Sequence, residues 1–304
     1  MSNYFPFGHR AGLRTTFSAG LIVLAAFALV PAVGVLVLSF TDIRSLPYLP
    51  VDWVGLQNYL SFFSPAHLPY NVKALSTTVV FAVSTTIFQN VFALLIAVLL
   101  NRRLRGSNFY RSVVFLPTVL GVTVIGLIWS LIFNPSGGPA ATVWSWFGTS
   151  SSFLGDQHLA LGLLVLVQVW MSTGVAVVIY LAGLQAIPAE LYETSSIDGA
   201  TGWQKLRLVT IPLLAPSITA NVLLCIVTSL QSYQLAYVLT GPNNPATQLL
   251  SLVIFTQGFG GSLTAGASAQ TQGYAAAISI VQFVLVGVIS LVVLAYLRKR
   301  EQRL

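Results

Sequence analysis

Charge is scarce in this chain. Only 7% of its 304 residues are Asp, Glu, Lys or Arg, against roughly 25% in soluble domains, so a water-facing surface of ordinary size cannot be built from them. Cysteine is scarcer still: Cys225 stands alone, which excludes an intrachain disulfide framework and any multi-cysteine metal site. No cluster of His, Asp and Glu marks a catalytic or metal centre, so no catalytic residue, metal or cofactor bound by the chain itself is expected. None of the three lysines, Lys73, Lys205 and Lys299, follows a glycine. Without a Walker A pattern the chain cannot cradle ATP in the P-loop manner.

What is abundant is apolar: 56% of the residues are hydrophobic and the mean hydropathy is +0.83. Crossing a hydrocarbon core of roughly 30 Å takes about 20 apolar residues in a helix. Six runs qualify, at about 17–39, 76–100, 112–133, 159–184, 213–239 and 274–297. A chain in lipid must satisfy its own backbone polar groups, so all six are expected to be helices. The fold class is therefore all-α, a polytopic membrane protein with six transmembrane helices. The first run follows His9, Arg10 and Arg14, as a signal peptide would. Its apolar stretch is too long and no small-residue cleavage pattern follows, so it reads as a retained helix.

The basic residues then sort by side. Arg10 and Arg14 precede the first run, and Arg102, Arg103, Arg105 and Arg111 join the second to the third. Lys205 and Arg207 lie between the fourth and fifth, and Arg298, Lys299, Arg300 and Arg303 follow the sixth. That puts 12 of the 14 basic residues on one side and leaves Arg44 and Lys73 on the other. The positive-inside rule makes the crowded side cytoplasmic, with the tails 1–16 and 298–304 both inside. The net charge of +7 is thus a topology signal, and no single loop gathers the basic face that nucleic acid requires.

Outside the spans, the 42–73 connection carries Pro47, Pro50, Pro65 and Pro69, and its VGLQNYLSFF piece suits a short interfacial helix. Asn134 to Pro139 has turn chemistry, followed by Trp144, Trp146 and Phe147, which suit an aromatic belt. The 241–273 connection has no charged residue; its GFGG and AGASAQTQG pieces fit a flexible outer surface or cap.

One inner segment, 191–214 (LYETSSIDGATGWQKLRLVTIPLL), is polar and charged between two apolar runs. Ile187 and Pro188 close the fourth run. Residues 189–197 are helix-compatible, with Glu190 and Glu193 in the early turns where carboxylates complement the helix dipole. Asp198 and Gly199 end that helix, and Asp198 is placed to cap a second one. Residues 200–209 are amphipathic, with Trp203, Leu206 and Val209 on one face and Lys205 and Arg207 elsewhere. Pro212 and Pro216 mark the start of the fifth run. Two short helices meeting at a glycine make a rigid knob, although the pattern alone is also that of an ordinary surface helix pair.

The segment resembles the EAA loop of permease subunits from binding-protein-dependent ABC importers. That pattern runs from a glutamate through small residues to a glycine about six positions on, then hydrophobic-x-hydrophobic-proline. Here it reads Glu193-Thr194-Ser195, Ile197-Asp198-Gly199-Ala200 and Val209-Thr210-Ile211-Pro212. Thr194 and Ser195 stand where the family has alanines. Further pieces resemble the carbohydrate-importing branch (maltose and glycerol-3-phosphate type): VGLQNY at Val54, LLNRRLRGSNFYRSVVFLP at Leu99, IWSLIFNPSGG at Ile128, AYVLTGP at Ala236 and GYAAAIS at Gly273. They cover nearly all of the chain after the first run, in order. Gln234 stands where relatives often carry an acidic residue, and Asn243-Asn244 where a glycine run is common.

The resemblance implies a type I ABC importer permease fold in a bacterial or archaeal plasma (inner) membrane, surrounded by membrane lipid. It implies a heterodimer with a second, homologous permease, two ATPase subunits that hold ATP and magnesium, and an extracytoplasmic solute-binding protein. In that family the loop's first helix docks in a groove of the ATPase. Glu193 would carry docking and Gly199 the turn, with Asp198, Ala200 and Pro212 completing the 187–212 coupling loop.

The six runs contain no Asp, Glu, Lys, Arg or His, so a passing solute meets neutral polar side chains. The densest set is Ser229, Gln231, Ser232, Tyr233, Gln234 and Tyr237 in the fifth run, with Gln168, Trp170, Ser172 and Thr173 in the fourth and Gln89 and Asn90 in the second. Amides, hydroxyls and aromatic faces suit a neutral sugar or polyol; the commoner role of such residues is to join helices. Two rival readings are weaker. A stand-alone secondary transporter of a neutral solute usually keeps an ionisable relay within the membrane, and a membrane-embedded enzyme needs a nucleophile, base or metal group.

Overall fold

The computed structural model describes residues 17–44, 50–101, 106–260 and 272–301. The 1–16 tail, Arg102, Arg103, Arg105, Arg303, and the glycine-rich stretch after Gly260 as far as residue 271 lie outside the described residues. The described chain is helical apart from connections and one antiparallel bridge between Thr41 and Trp53.

The helices run in order. First come α1 (Phe17–Leu38), α2 (Gln57–Phe62) and α3 (Leu68–Leu100). Next are α4 (Ser107–Val119), α5 (Val122–Ile132) and α6 (Pro139–Ser145). The middle of the chain gives α7 (Ala160–Gln185), α8 (Ala189–Ile197) and α9 (Gly202–Leu213). The last are α10 (Ala215–Leu230), α11 (Gln234–Thr240), α12 (Leu250–Phe259) and α13 (Gln272–Glu301). Four of them, α1, α3, α7 and α13, are long and apolar enough to cross a membrane, and the bent pairs α4–α5 and α9–α10 bring the number to six if each pair counts as one span.

Three expectations change. The run at 112–133 is not one straight helix: α4 and α5 meet at 98°. Pro117 removes a backbone donor inside α4, and Leu120 and Gly121 are extended, with ψ 139° and 142°. The run at 213–239 is also broken. Its helix α10 ends at Leu230, residues 231–233 leave helical geometry, and α11 restarts at Gln234. Before it, α9 meets α10 at 70°, with Leu214 at the corner and Pro212 and Pro216 on either side. Finally, the uncharged 241–273 connection is not only a loop. It contains α12, whose Leu250, Leu252 and Val253 are fully buried and whose Leu250 N–H donates to Thr78 Oγ1 at 2.8 Å.

The buried clusters give the helices their directions. The C-terminal ends of α3 (Ala93, Ala97, Leu100) and α7 (Ala176, Tyr180, Leu184) pack together with Leu214 and Val114 at one end of the bundle. Phe81, Leu164, Ile125 and Leu239 pack at the other. Helices α3 and α7 are therefore parallel, and α4 and α10 run against them. Residues Arg111, Lys205 and Arg207 sit at the end that holds Leu100 and Leu184, the side the charge pattern makes cytoplasmic.

Close contact at that end depends on a missing side chain. A Cβ on Gly174 of α7 would fall 2.8 Å from the Val114 carbonyl oxygen of α4, so only glycine permits this approach. By contrast α1 has no buried residue in its 22; its second half lies against α13 and the rest of its apolar surface is exposed.

Candidate functional site

Two places concentrate polar chemistry: the inner knob between α7 and α10, and the region around the 231–233 break.

The knob starts at Pro188, which precedes α8, with Glu190 in the first turn. The helix closes in a Schellman arrangement. Gly199 adopts φ +74°, its N–H donates to the Ser196 carbonyl at 3.1 Å, and the Ala200 N–H donates to the Ser195 carbonyl at 3.0 Å. A left-handed backbone is cheap only for glycine. Among the described residues nothing lies within 4 Å of where its Cβ would stand, so the constraint is conformational and the surface there is open to close approach.

Helix α9 then opens on a capping box: Thr201 Oγ1 accepts from the Gln204 N–H, and Gln204 Oε1 accepts from the Thr201 N–H at 2.7 Å. The cap is thus Thr201 and not Asp198, which is the last residue of the α8 end. The two helices are tied by Lys205 Nζ donating to Ser196 Oγ at 2.6 Å and by the Tyr192 and Thr210 hydroxyls at 3.1 Å. The hydroxyls of Thr194 and Ser195 are absorbed locally. Ser195 is buried and donates to the Tyr192 carbonyl, and Thr194 donates to the Glu190 carbonyl.

What the knob exposes is unusual for a water-facing loop. Ile197 is 86% exposed and Trp203 68%, beside the exposed Glu190, Glu193, Asp198 and Gly199. Trp203 does not share the inward face of Leu206 and Val209, which are half-buried. Large apolar side chains rimmed by carboxylates are the chemistry of a docking surface. Ala200 and Pro212 are half-buried behind it.

The sequence-derived pathway residues separate into three groups. Ser172, Ser229 and Ser232 belong to a polar seam that joins α3, α7 and α10. In it Gln168 Nε2 donates to Ser172 Oγ (2.8 Å), Ser232 Oγ to Gln168 Oε1 (3.4 Å), Gln89 Nε2 to the Ser172 carbonyl (3.3 Å) and Cys225 Sγ to Gln89 Oε1 (3.1 Å). Ser229 is buried 3.8 Å from Cys225 Sγ. Nearer the inner end, Tyr180 donates to Asn90 Oδ1 at 2.7 Å.

Gln231 and Tyr233 form the second group. They line a cavity of about 290 Å³ with Ser251, Phe255, Ser279 and Gln282. Tyr233 stacks on Phe255 at 4.9 Å and 23°. Trp170 and Gln234 stand apart from both. Trp170 lines an apolar groove with Phe88, Phe92 and Leu166 and meets Trp129 edge-on at 5.6 Å, while Gln234 is exposed at the start of α11.

The broken backbone at 231–233 frees carbonyls that need donors. Gln282 Nε2 supplies one to Leu230 O at 2.8 Å and Ser251 Oγ one to Ser232 O at 2.6 Å. Sequence reasoning missed Ser251, Phe255, Ser279 and Gln282. A lone amide in the last apolar run was the available signal.

Comparison with known proteins gives one family and a consistent set of relatives. Residues 89–303 match the family described as binding-protein-dependent transport system inner membrane component. The chain is 31% identical to the probable starch degradation products transport system permease protein AmyD of Thermoanaerobacterium thermosulfurigenes, over 92% of each chain. It is 32% identical to the trehalose/maltose transport system permease protein MalF of Thermococcus litoralis, over 88% of this chain and 86% of that one. Among solved structures it is similar to a chain of a bacterial ABC transporter involved in the import of the acidic polysaccharide alginate. The TM-score there is 0.77 at 20% identity, covering 96% of this chain and 95% of that chain.

Proposed function

Since the chain belongs to the binding-protein-dependent transport system inner membrane component family, we propose that it is the permease subunit through which an ATP-driven importer passes a sugar or related polyol. The chain is a multi-span, non-enzymatic transport component of the inner membrane. On our reading it forms half of the translocation pathway beside a second, homologous permease. Two ATPase subunits hold ATP and magnesium, and an extracytoplasmic binding protein delivers the solute.

The observation that carries this reading is the knob: a doubly capped, cross-tied helix pair that bares Ile197 and Trp203 next to Glu193. Such a rigid projection transmits force without deforming. ATP binds the closed ATPase pair better than the open one, and that difference supplies the free energy for moving the bundle. A two-state, rigid-body change of packing is the consistent response. Pro212 and the 70° corner after it connect the knob to α10, so motion of the knob is felt at the 231–233 break.

For the solute, the carbohydrate permeases among the relatives and the neutral lining of the Gln231–Tyr233 cavity support a polyhydroxylated compound. Aromatic faces and amides without charge suit it. The test is ATPase stimulation of the purified complete transporter by its binding protein across a panel of sugars and polyols. Stimulation by one neutral sugar with its binding protein supports the reading; stimulation only by charged or apolar solutes rejects the substrate class.

A further inference from the structure

Gln282 lies in the middle of α13, a helix that nothing above assigned to the pathway. Its side chain is 6% exposed. Its Nε2 donates to the Leu230 carbonyl, but its Oε1 is fully buried and has no hydrogen-bond partner among the described residues. An orphaned amide oxygen in an apolar setting costs free energy and is uncommon, and the residue that carries it is among those lining the 290 Å³ cavity.

The surroundings fit a ligand with donors to offer. Ser279, one turn before Gln282 on the same helix, points its own proton at the Ala276 carbonyl at 2.7 Å, which leaves its oxygen as an acceptor. Ser251 likewise spends its proton on Ser232 O. The cavity therefore presents acceptors at Gln282, Ser279 and Ser251, flanked by the Tyr233–Phe255 stack and Phe283. Acceptors at these three side chains, joined by the Gln231 amide and the Tyr233 hydroxyl, beside aromatic faces and without charge, match the hydroxyl groups and apolar ring face of a sugar.

We propose that Gln282 is a solute-contact residue, its Oε1 accepting a hydrogen bond from one hydroxyl of a neutral polyhydroxylated solute held in the α10–α12–α13 cavity. The inference rests on the sugar-importer reading and adds α12 and α13 to the pathway. Because Nε2 holds the broken backbone at Leu230, the same side chain fixes the shape of the site while its other end reads the solute.

The experiment must separate these two roles. Uptake of a labelled disaccharide and of its monodeoxy analogues is measured into proteoliposomes holding the complete transporter and its binding protein, with wild type and Gln282→Leu. Selection by the binding protein cancels in the comparison, since it is the same in both. Wild type is expected to take up one analogue roughly fivefold to tenfold less well than the parent sugar, the size of one hydrogen bond. Gln282→Leu is expected to lose that discrimination while taking up less of the parent sugar. A purely structural Gln282 would lower uptake of every sugar by the same factor and leave all ratios unchanged, which overturns the proposal but not the importer reading. Absence of uptake for every sugar by the wild-type transporter overturns both.

Discussion

Lys205 Nζ donates a 2.6 Å hydrogen bond to Ser196 Oγ, joining the second helix of the inner knob to the last turn of the first. It spans the Gly199 turn and makes the pair one body. The bond is exposed, so its worth is limited to about 1 kcal/mol. Lys205→Met is expected to lower ATP-driven uptake by no more than about fivefold, with membrane insertion and assembly unchanged. Uptake assays on membranes with matched protein levels check this.

Gly199 makes a sharper prediction, because its φ of +74° and the open space around it isolate backbone strain from steric clash. Asparagine tolerates the left-handed region and β-branched residues do not. Gly199→Asn should keep most of the transport. Gly199→Val should lower it by roughly fivefold to thirtyfold while the chain still inserts, from strain of about 1–2 kcal/mol applied at the proposed docking surface. Normal uptake by Gly199→Val removes the knob from the mechanism.

Helix approach can be probed at two other glycines. A Cβ on Gly126 would lie 2.6 Å from Val238 Cγ1, whereas one on Gly287 meets nothing within 4 Å among the described residues. Gly126→Leu is expected to destabilise the purified protein by about 1–3 kcal/mol through overpacking. Gly287→Leu, placed on open helix surface, should leave the melting temperature nearly unchanged. Thermal unfolding in one detergent compares them directly.

Asp156 gives a pH signature outside the spans. Its Oδ1 accepts the His158 N–H at 2.7 Å and the Leu159 N–H at 3.2 Å at the start of α7, and these bonds hold its carboxyl below the ordinary value, the His158 bond first. A lowered folded-state pKa stabilises the fold above the unfolded value of about 3.9, and that contribution is lost as pH falls through the folded value. Asp156→Ala should therefore lower the melting temperature at neutral pH and converge with wild type in acid, below both pKa values. A constant gap at every pH contradicts it.

The sequence showed its membrane architecture through charge. Too few ionisable residues were present to cover a soluble fold, and their spacing sorted the loops by side. The 191–214 segment was legible because polarity is costly inside a chain this apolar. Less legible were the breaks. A hydropathy window averages across Pro117, Leu120 and Gly121, all of which suit lipid, so the 98° bend left no trace in it. The 231–233 interruption was hidden for another reason: polar residues there read equally well as one face of a continuous helix. Helix α12 carries no charge and is short, so its burial against Thr78 followed only from tertiary packing. Gln282 is a single amide in a long apolar run, and its Nε2 bond to the Leu230 carbonyl exists only because α10 ends beside it.

On the importer reading proposed above, Ile197 and its neighbours form the surface on which an ATPase subunit docks. Ile197→Cys, introduced with Cys225→Ser so that one thiol remains, places a reactive group on that surface. A short thiol-to-amine cross-linker applied to the assembled transporter is predicted to join this chain to the ATPase, and the ATPase is predicted to slow alkylation by a water-soluble maleimide. The same alkylation rate with and without ATPase subunits, and no cross-linked product, would mean that the ATPase does not dock on Ile197.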